Sequence, residues 1–208
     1  MDAAELTAHL KEMTKPKERD LFIAKCAARA GLDVKNVAEI GVFQGAFSLM
    51  LRQRFPAAHL WLIDPWRHLP ELKGLVGSMH RRGKTPERNQ VFWDRMYRDI
   101  QAMFQNDPNV TILRKLSAEA AADVPDDSLD IVHIDGDHRY EAVCQDIKLW
   151  LPKVKHGGLV TGHDYKFARS QWGGNRGIFY KVYTAVNDTL GVDNIIGGRQ
   201  MTWIYVKP

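Results

Sequence analysis

The stretch "HIDGDHRYE", residues 133–141, puts Asp135, Asp137 and His138 within four positions directly after an apolar run. Farther on, "TGHDY" sets His163 and Asp164 behind a second apolar run. Such residues can do one of three things. They can form a polar turn whose carboxylate caps the helix starting near Tyr140, a position that favours Asp. They can hold a cation: if the two runs are neighbouring parallel strands about 4.8 Å apart, Asp135 at one tip and His163 and Asp164 at the other converge on one ion. Two carboxylates and an imidazole, completed by water and substrate oxygens, suit Mg²⁺ or Mn²⁺. Or they can work as acid and base, Asp137 taking a proton from a bound hydroxyl. His138 is the competing base, because an imidazole titrates near neutral pH.

What decides among these is the set of elements that holds the residues. "NVAEIGV" reads as a buried strand, "AHLWLIDPW" as a second and "NVTILRKL" as a third. "LDIVHIDGD" and "GGLVTGHDY" follow as a fourth and a fifth, and "DNIIGG" and "MTWIYVKP" as two closing strands with a hairpin between them. Helical segments separate them: "GAFSLMLRQRF", then Val91, Phe92, Met96, Ile100 and Phe104 at helical spacing, then "YEAVCQDIKLWLPKV" and "IFYKVYTAVNDTLG". "ERDLFIAKCAARAGL" is helical too, ending at Gly31, so residues 1–35 are expected to form a helical segment packed on a domain spanning 36–208. Alternating strands and helices imply right-handed crossovers and a doubly wound, mostly parallel α/β sheet. Such a sheet binds ligands beyond the carboxyl ends of its strands, near the point where the strand order reverses. Gly41, Asp64, Asp135 and the His163–Asp164 pair all fall at strand ends. One polar residue after a strand is ordinary turn chemistry; four strands ending this way argue for an enzyme site.

The bulk numbers narrow the class. A 208-residue chain with 45% hydrophobic and 26% charged residues can bury a full core without disulfides. Cys26 and Cys144 show no CxxC spacing and read as buried thiols in a reducing cytosol. The N-terminal stretch is charged throughout, unlike a signal peptide, and no apolar run reaches the roughly 18 residues of a membrane span, so a cytoplasmic protein is expected. Net charge is +4, and the segment 67–98 holds eight Lys/Arg against three Asp/Glu. That density falls short of a nucleic-acid arm; the segment reads as a solvated face or as an attractor for phosphate or carboxylate groups.

The first turn, Glu39-Ile40-Gly41-Val42-Phe43-Gln44-Gly45, narrows the cofactor. A dinucleotide fingerprint GxGxxG needs its middle glycine to let the backbone approach a pyrophosphate, and Phe43 stands there instead. A nucleoside cofactor without phosphates tolerates the side chain. Asp64, ending the second strand, suits a ribose, since a carboxylate accepts hydrogen bonds from both hydroxyls.

At these residues the chain resembles a family. "VAEIGVFQGAFS", "LWLIDPW", "SLDIVHIDGDHRYEAVCQDIKLWLPKVKHGGLVTGHDY" and "TWIYVK" are similar to class I S-adenosylmethionine-dependent methyltransferases, nearest to the small bacterial macrocin- and novobiocin-type sugar O-methyltransferases. The resemblance runs from about Val37 to Val206 and implies a seven-stranded sheet whose last strand is antiparallel. It implies Glu39 toward the methionine amino group, Gly41 and Gly45 for close approach of the cofactor, Asp64 on the ribose, and Ser117 and Ala118 by the adenine. It gives Asp135 to the cofactor and metal site, with Asp164 as a further metal ligand and Asp137 as the base. The position of His163 is usually an acid in that group, and a histidine there shifts the preference from Mg²⁺ toward Mn²⁺ or Fe²⁺, or toward no metal. The implied reaction is methylation of a hydroxyl on a sugar or a small glycosylated or phenolic metabolite. The implied partners are that small acceptor and further copies of the chain, with neither nucleic acid nor membrane.

Two other readings stand beside this one. A methyltransferase-like module could bind a nucleoside without catalysis, although a dead site has no need to keep carboxylates together. A nicotinamide-linked oxidoreductase shares the architecture, but Phe43 and the lack of a suitably placed Tyr-x-x-x-Lys pair argue against it. His133, inside its strand, reads as a core histidine, and Trp93 and Tyr97 as packing residues. Residues 67–90 and the glycine-rich "KFARSQWGGNRG", with Arg169, Trp172 and Arg176, are expected to shape the acceptor pocket.

Overall fold

The structure is a computed structural model that describes residues 2–69, 86–166 and 176–208. The glycines at 74, 77 and 83, together with Arg169 and Trp172, lie outside the described residues, as does the side chain of Arg176.

Two helices, α1 (Ala3–Glu12) and α2 (Arg19–Arg29), precede β1 (Asn36–Ile40), α3 (Ala46–Arg54), β2 (His59–Ile63) and α4 (Pro86–Phe104). Then come β3 (Val110–Leu113), α5 (Ser117–Ala120), β4 (Leu129–Ile134), α6 (Tyr140–Trp150), β5 (Val154–Gly162), α7 (Arg176–Leu190), β6 (Ile196–Gly197) and β7 (Trp203–Val206). The seven strands form one sheet in the order β3-β2-β1-β4-β5-β7-β6. The pairs from β3 through β5 are parallel, and β7 runs antiparallel to both β5 and β6. The order reverses between β1 and β4, which places the crevice at the tips of those two strands.

Strand side chains alternate between two apolar layers, as the period of two requires. Val37, Leu60, Leu62, Ile131 and Leu159 face α1, α2, α3 and α4, where Leu10, Phe22, Leu51 and Ile100 are buried. Ala38, Ile40, Val132, Ile134 and Val160 face the other way, onto Val143, Ile147 and Trp150 of α6 and Val182, Ala185 and Val186 of α7. α1 is held at its start by a capping box, in which Asp2 and Glu5 each accept from the other's backbone N–H. No helix among the described residues is long and apolar enough to cross a membrane.

Several boundaries differ from the sequence reading, two of them instructively. α4 begins at Pro86 rather than Asn89, which shortens the expected loop; proline is well placed in a first helical turn, where its missing N–H has no partner to lose. β5 begins at Val154 rather than Gly157. Its register on β4 jumps from the pair Leu129–Val154 to the pair Ile131–Leu159, so a bulge lies between the residues added at its start and the strand expected from Gly157.

Candidate functional site

The tips of β1, β2 and β4 are tied together before any ligand is considered. Gly41 N–H donates to the Ile63 carbonyl at 2.8 Å, and Asp135 N–H donates to the Ile40 carbonyl at 2.8 Å. Gly41 has φ +91°, and a Cβ there would stand 2.2 Å from the Asp135 carbonyl oxygen, so only glycine lets this turn lie against the tip of β4. Gly45 opens α3 at φ +75°, where a Cβ would come within 2.5 Å of Ile100 Cδ1. Both glycines thus allow one protein segment to approach another, a reason distinct from the cofactor approach that the resemblance implies. Phe43, between them, adopts φ +52° and packs edge-on against Trp93 with ring centroids 6.1 Å apart.

Asp64 anchors this turn. Its Oδ2 accepts from Phe43 N–H at 3.0 Å and its Oδ1 from Trp66 N–H at 2.8 Å, while Trp66 Nε1 donates to the Phe43 carbonyl at 2.9 Å. Burial pushes the Asp64 carboxyl above its ordinary range, against the pull of the Trp66 and Phe43 N–H groups. Each oxygen keeps a further lone pair for a donor from outside. Glu39 is buried with one hydrogen-bond partner, the Ser48 hydroxyl on α3. Burial raises its carboxyl to about 8; the Ser48 hydrogen bond opposes the rise and the Asp135 charge adds to it.

Across the crevice, β4 and β5 bring their tips together. His138 Nε2 lies 3.4 Å from Asp135 Oδ1, and its Nδ1 lies 3.2 Å from Asp164 Oδ2. His163 Nδ1 is 3.2 Å from Asp164 Oδ1 and 3.8 Å from Asp135 Oδ2. Asp164 reaches inward from a left-handed backbone at φ +58°. Burial works against ionised Asp135, yet the neighbouring imidazoles, His138 foremost, and Arg19 hold its carboxyl down at about 2. Burial raises Asp164, with the His138 and His163 imidazoles pulling the other way. Burial would lower His138, but the two flanking carboxylates carry it above the ordinary imidazole value.

The donor atoms of Asp135, His138 and Asp164 lie within 4.8 Å of one another, a span that fits one divalent cation, and a mixed carboxylate–imidazole set suits Mn²⁺ or Fe²⁺ better than Mg²⁺. His138 thus stands where the sequence reading put His163, with His163 alongside. Asp137 accepts from Arg139 N–H at 3.0 Å and from Arg139 Nε at 2.7 Å, the local turn contact expected of a residue ahead of a helix. Ser117, the first residue of α5, donates to Asp146 Oδ1 at 2.5 Å and accepts from Trp150 Nε1 at 2.8 Å, while Ala118 is exposed. His133 is a core residue: its Nδ1 meets the Thr161 hydroxyl at 2.8 Å and burial drives its pKa to about 3.

Sequence reasoning missed Arg19, Ser48 and Asp146. Arg19 Nη1 lies 2.9 Å from Asp135 Oδ2, with its guanidinium 4.0 Å over the Phe47 ring. Nothing local marks it, because it opens an otherwise ordinary amphipathic helix. Ser48 had a positional signal, lying in the first turn of the helix that follows the Glu39 strand.

Comparison with known proteins follows this geometry. A family model described as "Methyltransferase domain" matches residues 38–165. The chain is similar in structure to a provisionally assigned caffeoyl-CoA O-methyltransferase from Staphylococcus aureus, with TM-score 0.61 and 18% identity over 100% of this chain and 93% of that one. It is similar to the O-methyltransferase NovP, with TM-score 0.60 and 15% identity over 98% of this chain and 79% of that one. The S-adenosylhomocysteine-bound methyltransferase PaMTH1 from Podospora anserina gives TM-score 0.60 and 11% identity over 100% and 88% of the two chains. At these identities the structures share the fold. A curated relative, uncharacterized protein y4gI of Sinorhizobium fredii, is 42% identical over 53 residues, 26% of this chain and only 6% of that much longer protein.

Proposed function

The chain belongs to the methyltransferase-domain family and is an S-adenosylmethionine-dependent methyltransferase, and from that premise we propose that it methylates a hydroxyl group, with a divalent metal assisting. The acceptor class we propose is a sugar or a small glycosylated or phenolic metabolite, as in the macrocin- and novobiocin-type group. The observation that carries this reading is the convergence of Asp135, His138 and Asp164 beside Glu39 and Asp64 at one end of the sheet. Family membership also favours a methyltransferase over the nicotinamide-linked alternative.

Bound, S-adenosylmethionine supplies an electrophilic methyl group on its sulfonium sulfur. Glu39 is the partner for its ammonium: a buried carboxyl held at about 8 gains most from a cation brought beside it. Asp64 is the partner for the ribose hydroxyls, already fixed in direction by the Phe43 and Trp66 N–H groups. A metal on Asp135, Asp164 and an imidazole, His138 or His163, would act as a Lewis acid that lowers the pKa of the acceptor hydroxyl. Asp137, oriented by Arg139, then takes the hydroxyl proton on a carboxylate oxygen. A second reading rests on the bracketing of His138: with no metal bound, its imidazole takes the proton and holds it between Asp135 and Asp164.

The test is calorimetric titration of S-adenosylhomocysteine with and without Mn²⁺, followed by methyl-transfer assays over a panel of acceptors. Micromolar binding and activity lost in EDTA are expected. Activity untouched by exhaustive chelation would move the mechanism to His138, and no binding of S-adenosylhomocysteine would overturn the site assignment.

A further inference from the structure

Among the described residues, Arg19 is the one side chain at the Asp135 cluster that comes from outside the residues matched by the family model. It opens α2, reaches across the tip of β1, and places Nη1 2.9 Å from Asp135 Oδ2. Stacking on Phe47 at 4.0 Å fixes the plane of the guanidinium, and both members of the ion pair are mostly buried, with side chains 18% and 21% exposed. The same carboxylate belongs to the set whose donor atoms gather within 4.8 Å. A cation entering between Asp135 and Asp164 therefore meets a carboxylate that already carries a counter-ion. Without Arg19 the two carboxylates would face it with only the His138 and His163 imidazoles beside them.

We infer that Arg19 is a resident counter-ion of the metal site, holding Asp135 in place when no cation is bound and weakening divalent-metal binding by competing for the same carboxylate. The inference rests on the metal-assisted reading above. Arg19 is thus a positioning residue that acts through Asp135, and it gives the N-terminal helices a hold on the site. A positive charge this close to a bound cation at a partly buried position changes affinity by about 10–100-fold.

Mn²⁺ titrated into the chelator-treated chain, without cofactor, tests this by calorimetry. Arg19→Met keeps the apolar stem over Phe47 and removes the charge, so it should bind Mn²⁺ about 10–100-fold more tightly than wild type. Arg19→Lys keeps the charge and should stay near wild type, and Asp164→Asn should weaken binding in both backgrounds. Structural damage would not tighten binding, which separates the inference from a merely supporting role for Arg19. Equal or weaker Mn²⁺ binding by Arg19→Met, with wild-type binding still dependent on Asp164, would overturn the inference and leave the metal reading standing. An absence of Mn²⁺ binding in every variant would overturn both. If Arg19→Met melts far below wild type, Arg19→Gln supplies the same charge removal.

Discussion

Glu39 on β1 and Asp135 just past the end of its partner β4 are carboxylates at the same end of the sheet, both withdrawn from solvent, yet one sits at about 8 and the other at about 2. Burial alone would raise both. The difference lies in the company each keeps. Glu39 has a single hydroxyl for a partner, while Asp135 has a guanidinium at 2.9 Å and two imidazoles within 3.8 Å. Asp64, with backbone N–H groups and no cation, sides with Glu39. The crevice is therefore divided: its β1–β2 half leaves carboxyls short of positive charge, and its β4–β5 half has supplied its own. A cationic, hydroxyl-bearing ligand would suit the first half, whereas on the proposed metal reading a new cation competes in the second.

The largest expected effect tests the first half. Asp64→Ala removes the acceptor of two backbone N–H groups and any hold on a ribose, so affinity for S-adenosylhomocysteine should fall by at least about 100-fold in calorimetric titration. Binding within threefold of wild type would dissolve the division. The next effect opposes the two halves directly. For Glu39, with its folded pKa raised, the stabilising contribution is present below about pH 4.5 and lost as pH climbs toward 8. Glu39→Gln should therefore melt with wild type at pH 5 and about 5 °C or more above it at pH 8. For Asp135, with its folded pKa depressed, the contribution is present above about pH 3.8 and lost as pH falls through 2. Asp135→Asn should melt about 5 °C below wild type at pH 7, the gap narrowing as pH drops below 4. Shifts of the same sign in the two variants would show that burial, not company, sets both groups. The smallest effect sharpens the picture: Ser48→Ala removes the Ser48 hydrogen bond to the Glu39 carboxyl and should lower the melting temperature by only about 1–4 °C at pH 5.

The parallel strands and the helices between them were legible because their patterns are local: a run such as "LDIVHI" is buried on both faces, and Val91 through Phe104 keep helical spacing. The strand ends carrying Gly41, Asp64, Asp135 and Asp164 followed from those patterns. Arg19 did not, because its partner lies 116 residues away and no short-range rule links the first turn of a helix to the tip of a later strand. The place of His138 in the cluster was hidden for a related reason. Sequence order gives His163 and Asp164 adjacent positions, but the left-handed backbone at Asp164 turns its carboxylate onto the His138 ring as well. The roles of Gly41 and Gly45 were implied by the resemblance, while the atoms a Cβ would meet there belong to the Asp135 backbone and the Ile100 side chain.

β7 lies between β5 and β6, and Trp203 pairs with Gly162 at the tip of β5. A Cβ on Gly162 would sit 2.5 Å from Trp203 Nε1, and Tyr165 N–H donates to the Met201 carbonyl at 2.8 Å, so the His163–Asp164 corner is braced from both sides by chain that comes about forty positions later. At a ribosomal synthesis rate of about 5–20 residues per second, the brace is made several seconds after the corner it holds. The β1–β2 half can gather early on the tunnel's far side, but the β4–β5 half has to wait for its neighbour to be made. In the order of synthesis as in charge, the two halves differ: the β1–β2 half is complete in the chain well before the strand that braces the β4–β5 half.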